Sequence, residues 1–254
     1  MFARAIRSMR ERDWVGIVIE IIVVILGVFI GIQVSNWNEA RVDHGRERHA
    51  LHLLFIEAQN NVAYSELSIF IAQQWQQNRE AALARLQGRV PVKGDADRGL
   101  VAMAVYRDTT PMHSVYDQLR ASGDMPLIQS EEVRKDLALF EARMIFHDRS
   151  RREFINEAPD ILRLASAYTK VTYDPSQPAG FSLVVDWKAA GKDKALVNAV
   201  NRVMGGQIVF DKRRRALADA ARTLCDALGK ALHQPCAPED WVEAHRQGKS
   251  LIYK

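Results

Sequence analysis

The sequence predicts an all-α protein: one N-terminal transmembrane helix, then an extramembrane up-down bundle with long helices. Three observations carry this expectation. Residues 15–34 contain a single ionisable side chain, Glu20. Apolar residues recur at alternating steps of four and three along residues 51–86, 133–154 and 196–231, which is a helix seam and not a strand alternation. Glycine and proline gather mainly between these runs, at 88–99, 123–126 and 172–180.

The chain opens with a basic stretch, residues 1–13, carrying Arg4, Arg7, Arg10 and Arg12. Phe2, Ile6, Met9 and Trp14 lie near one helical face, the pattern of a short amphipathic helix on a lipid surface. Residues 14–37 follow as the predicted membrane segment. About twenty helical residues rise roughly 30 Å, the thickness of the hydrocarbon core. Trp14 and Trp37 flank the run, where indole rings favour the interfaces. Secretory leaders have shorter apolar cores and a small-x-small cleavage site, so the segment reads as an uncleaved signal anchor. Four arginines before it against three after it (Arg41, Arg46, Arg48) favour an N-terminus inside and an outer part beyond the membrane.

One face of this helix stands apart. At ~100° per residue, Gly16, Glu20, Val23, Gly27, Gly31 and Val34 share an arc of about 80°. Gly27-Val-Phe-Ile-Gly31 is a small-xxx-small motif, which lets two helix backbones approach closely. A carboxylate in the same stripe seeks a proton, the interface, or a donor on another helix. This face is the expected packing surface for self-association or for another membrane protein. At the exit, Gln33, Asn36, Trp37, Asn38 and Glu39 either anchor depth at the headgroups or contact a partner helix.

Residues 38–254 form the predicted outer domain. Its first seam runs Leu51, Phe55, Ala58, Val62, Ser65, Ile69, Ala72, Gln76, Arg79, Leu83, Leu86, and the membrane helix is expected to continue into it with little break. A loop near 88–98 follows. A short helix is expected near Leu100–Tyr106. Another has Thr110 as N-cap and Pro111 in its first turn, and ends at Gly123. Ser130, with Glu131 and Glu132 behind it, starts a long helix along Val133, Leu137, Phe140, Met144, His147, Arg151 and Phe154. Pro159 marks a kink or restart. Residues 172–190 read as a loop containing the linker 172–180 and a short strand-like run, Phe181–Trp187, without an evident pairing partner. The last seam is Leu196, Val200, Val203, Gln207, Phe210, Arg214, Leu217, Ala221, Leu224, Leu228, Ala231, with Gly205 and Gly206 able to bend it. Polar members of the seams point to imperfect packing or a partner surface.

The stretch from Glu20 to Glu39, ending Gln33-Val-Ser-Asn-Trp-Asn-Glu39, resembles the opening of a bacterial family of small membrane proteins, domain-of-unknown-function family six-zero-nine-zero. Ser114-Val-Tyr-Asp-Gln-Leu-Arg-Ala-Ser-Gly123 is similar to that family's middle segment. The likeness covers roughly the first 150 residues. It implies a single-pass bacterial membrane protein and supplies no catalytic residue.

Chemistry-bearing clusters are sparse. Two cysteines exclude a disulfide-dense scaffold and a four-thiolate zinc site. Cys225 and Cys236 would close a disulfide in an oxidising compartment if Pro235 turns the chain back, and would stay reduced in the cytoplasm. His44, His49 and His52 lack metal-ligand spacing, and His113, Ser114 and Asp117 fall within one helical turn, unlike a nucleophilic triad. A net charge of +4 without interleaved aromatics argues against nucleic acid; Arg149–Arg152 and Lys212–Arg215 read as solvated faces or headgroup contacts. No enzyme, cofactor or metal is expected. The expected function is protein–protein interaction or scaffolding in the bacterial envelope. The alternative is a ligand-sensing ectodomain that works with a separate signalling partner.

Overall fold

The computed structural model describes residues 2–104, 111–176 and 180–248; of residues 2–13, 15 and 17 it describes the backbone alone. The amphipathic pattern of Phe2, Ile6 and Met9 therefore lies outside the described side chains, and Thr110 and Tyr106 lie outside the described residues. The protein is mostly helical. It divides into two compact units, residues 1–50 and 51–254.

In the first unit the only element is helix α1, assigned over Phe2–Leu86, which begins there. Its apolar run is bare: from Ile19 to Val34 the large aliphatic side chains are each about half exposed. By length and composition this helix can cross a membrane.

In the second unit, α1 has a buried seam. Leu51, Phe55, Ala58, Val62 and Ser65 are all buried, as are Arg79 and Leu86 further on. After Leu86 the chain doubles back along α1. Asp95 N–H donates to Asn78 Oδ1 (2.9 Å), and the Ala102 carbonyl accepts from Arg79 (3.2 Å). Met112 and Asn61 exchange two hydrogen bonds, at 2.7 and 2.8 Å. The returning strand of chain contains α2 (Ala96–Ala104) and α3 (Ser114–Ser122). Gly99 lets α2 press against α1, since a Cβ there would run into the Asn78 carbonyl oxygen.

Helix α4 (Glu131–Glu157) then lies antiparallel to α7 (Lys194–Leu232): Lys230 Nζ reaches Glu132 at 2.8 Å, and Phe154 seats against Gly206. Gly206 makes room for the Phe154 ring, which a Cβ there would strike. Capping is done largely by local acceptors. Ser130 Oγ accepts from Val133 N–H, and Asp160, Asp186, Asp193 and Asp240 cap α5 (Ile161–Ala165), α6 (Trp187–Ala190), α7 and α8 (Trp241–Arg246). Gly123 ends α3 in the left-handed conformation at φ 76°, and His233 does the same for α7 at φ 57°. A core of Leu86, Leu100, Met103, Ile161, Val185, Leu196, Val200 and Val203 joins the end of α1 to α2, α5 and the start of α7.

Three expectations are corrected. The strand-like run Phe181–Trp187 does have a pairing partner, and two short strands stand within the region expected as a loop in an otherwise helical fold. Strands β1 (Thr169–Tyr173) and β2 (Phe181–Val185) form an antiparallel hairpin in which Thr169 faces Val185 and Tyr173 faces Phe181. Only the Val185 side chain in the pair is fully buried, so neither strand shows the alternation that announces a half-buried strand. Helix α3 starts at Ser114, three residues after Pro111, with no local side-chain cap. Its cap comes from another helix, as described below. Finally, of the polar seam residues, Arg79, Gln207 and Arg214 are buried and so offer no partner surface, while Gln207 Nε2 finds no acceptor among the described residues, as imperfect packing would have it. Arg214 bonds Asp211 Oδ1 at 2.6 Å and its guanidinium sits 5.0 Å over the Phe210 ring.

Candidate functional site

Two regions hold the residues singled out by the sequence, one in each unit. In the first, helix geometry puts Gly16, Glu20, Val23, Gly27, Gly31 and Val34 on one stripe of α1, and every one of them is exposed. Nothing lies within 4 Å of where a Cβ would stand on Gly16, Gly27 or Gly31. At these three glycines there is room for a second backbone to approach closely. Trp14 and Trp37 are about two-thirds exposed, and Gln33, Asn36, Asn38 and Glu39 are exposed beside Trp37. Arg41 stacks over the Trp37 indole at 5.8 Å, a cationic neighbour suited to an anionic headgroup layer.

The second region is the junction of α1 with α3, inside the stretch Ser114–Gly123. Glu57 on α1 is buried, and its Oε2 accepts from Ser114 Oγ and from Val115 N–H, both at 2.9 Å. The carboxylate thus supplies the cap that α3 lacks locally and lies at its positive end. His113 Nδ1 pairs with Asp117 Oδ2 at 2.6 Å on the exposed side of the same turn. Ser114 is committed to Glu57 and not to His113, so these three side chains do not assemble a nucleophile and base. Tyr116 donates to Glu141, which also accepts from Arg120 at 3.3 Å. Burial, reinforced by the Glu141 carboxylate, pushes the Tyr116 phenol up to about 12.

The C-terminal cysteines are joined. Cys225 and Cys236 form a disulfide with Cα atoms 5.6 Å apart, the chain turning back through His233 and Pro235. Beyond it, α8 lies on α1: Trp241 meets Tyr64 edge-on, and His245 and Arg246 both contact the Phe70 ring. The basic runs are mostly spent inside their own helices, Arg149 on Glu153, Arg152 on Asp148 and Arg215 on Asp211. His44 is exposed beside Glu47 at 3.7 Å, and among the described residues no three acidic, histidine or cysteine side chains gather as a metal site would require.

Sequence reading missed Glu57 and Asn61. Both lie one position from the apolar seam of α1, at i and i+4, and that spacing is the signal that a polar pair would face an adjacent element. Comparison with known proteins yields no matching family model, curated protein or solved structure.

Proposed function

We propose that this chain is a single-pass bacterial inner-membrane protein of the family its Gln33–Glu39 exit resembles, anchored by residues 14–37. Its outer part acts as an up-down helical bundle in protein–protein interaction or scaffolding. The N-terminus faces the cytoplasm and the bundle the periplasm, in line with the arginine bias and with a compartment where Cys225 and Cys236 oxidise. The lipid bilayer is the first partner; a second copy, or another membrane protein, packs on the glycine–glutamate stripe.

The observation that carries this reading is the bareness of α1 before residue 50. A helix with apolar side chains on nearly every side and no covering from its own chain suits lipid, not water. Within residues 15–34 the three glycines and the one carboxylate share a single face. The test is disulfide or photo-cross-linking of the full chain in native membranes. Gly27→Ile with Glu20→Leu should abolish the stripe-dependent cross-linked species while leaving the chain in the membrane. Unchanged cross-links would defeat the stripe, and a chain absent from the membrane would defeat the anchor.

A further inference from the structure

The second unit holds a cleft that neither the anchor nor the α1–α3 junction uses. It has a volume of about 510 Å³ and is lined by Gln74, Trp75 and Asn78 of α1, by Asp95, Asp97, Arg98 and Val101 around α2, and by Phe181, Ser182 and Leu183 of β2. This is within the size range of small-molecule sites. Two glycines hold the chain around α2 close to α1 beside it. Gly94 turns the chain at φ 85° against the Gln77 carbonyl, and Gly99 brings α2 down onto Asn78.

The polar groups of the cleft differ in what is left for a ligand. Asp95 is already occupied: it caps α2 through Arg98 N–H at 3.0 Å and pairs with the Arg98 guanidinium at 3.5 Å. Asp97 is half-buried, and its Oδ1 accepts from the Trp187 indole N–H at 2.9 Å, a bond between residues ninety positions apart that fixes the carboxyl's direction. Among the described residues its Oδ2 accepts nothing. Asn78 spends its carbonyl oxygen on Asp95 N–H, and neither its amide N–H groups nor the Ser182 hydroxyl donates to any described group. Removal from water, with Asp95 nearby, raises the Asp97 pKa, and the Trp187 bond and the Arg85 charge offset this only in part, so a further cationic partner would stabilise the carboxylate. Trp75, Phe181, Val101 and Leu183 supply the apolar walls, two of them with aromatic faces that attract cations.

We propose that this cleft binds a small organic cation, an ammonium group on an apolar body, with Asp97 Oδ2 receiving the ammonium and Trp75 and Phe181 holding the body. Asn78 and Ser182 are placed to donate to an oxygen elsewhere on the ligand. The inference concerns residues 74–183 alone and goes beyond the envelope-interaction reading; it stands or falls independently of the anchor.

The test uses the full chain in zwitterionic lipid nanodiscs and three probes of one shape: benzylamine, benzyl alcohol and benzoate, at pH 7. Ligand-observed NMR titration should give saturable benzylamine binding, at least tenfold tighter than the alcohol, with benzoate weakest. Asp97→Asn should weaken benzylamine at least tenfold and bring it level with the alcohol. Ser182→Arg, on an edge strand where a long side chain is tolerated, adds a positive charge at the cleft wall and should weaken benzylamine while strengthening benzoate. Equal binding of the three probes, no saturable benzylamine binding, or an unchanged affinity in both variants would overturn the proposal.

Discussion

Helix α1 offers two stretches with the same backbone and opposite surroundings. Between Val18 and Val34 its large apolar side chains are all exposed; between Leu51 and Leu86 a stripe of them is buried. Helix propensity does not separate them, since both are helical. The difference is the medium each stretch satisfies. Among the described residues nothing covers Ile22, Leu26 or Phe29, whereas the second stretch has hydrogen-bond partners even for its buried charged groups, Glu57 and Arg79. On the proposed reading the first stretch draws its stability from lipid, whereas that of the second comes from tertiary packing.

Substitutions can break that comparison from either side. The largest effect is expected from Leu26→Arg, near the middle of the anchor. A central arginine costs about 2.5–3.5 kcal/mol of insertion free energy. The chain should then appear in the wash fraction of membrane preparations, with the second unit's near-ultraviolet circular dichroism unchanged. The matching control, His52→Arg on the exposed face of the second stretch, should shift neither measurement, its effect on stability staying within about 0.5 kcal/mol.

Next comes the clamp on the second stretch. Replacing Cys225 and Cys236 together by serine reopens a short loop and should lower unfolding stability by about 3 kcal/mol. It should also free α8 from Tyr64 and Phe70, seen as faster proteolysis after Pro238, with membrane retention intact. Glu57→Ala follows. It leaves Val115 N–H and the Ser114 hydroxyl without their acceptor and should cost about 2 kcal/mol in chemical unfolding, again with no change in fractionation.

The smallest effect is a pH dependence. The folded Tyr116 phenol has its pKa raised above the unfolded value, so the stability it contributes is fully present below about pH 10 and is lost as pH climbs toward about 12. Ultraviolet titration of the native chain should show a tyrosine ionising near 12 that Tyr116→Phe removes.

Legibility in the sequence followed the range of the interaction. Local signals were read correctly where the partner is a few residues away: Ser130 as the cap of α4, Gly123 as the end of α3, and the α7 seam from Leu196 to Leu228, all of which is buried. Signals that depend on distant chain were not. The carboxylate capping α3 sits more than fifty positions upstream, at Glu57, and the acceptor for Trp187 is ninety positions away, at Asp97. Of the hairpin, β2 was legible as the strand-like run Phe181–Trp187, but its partner β1 buries almost nothing, so hydrophobic periodicity had little to report there. Arg214 misled for the opposite reason. On a seam it reads as a defect, yet Asp211 three residues before it and the Phe210 ring satisfy the charge inside the fold.

The anchor itself is tested most directly by an alkaline carbonate wash of membranes from bacteria expressing the full chain, followed by N-terminal analysis of the retained protein. The account predicts that the protein stays with the lipid pellet and keeps its apolar segment. Recovery in the supernatant, or a chain shortened past residue 34, would contradict it.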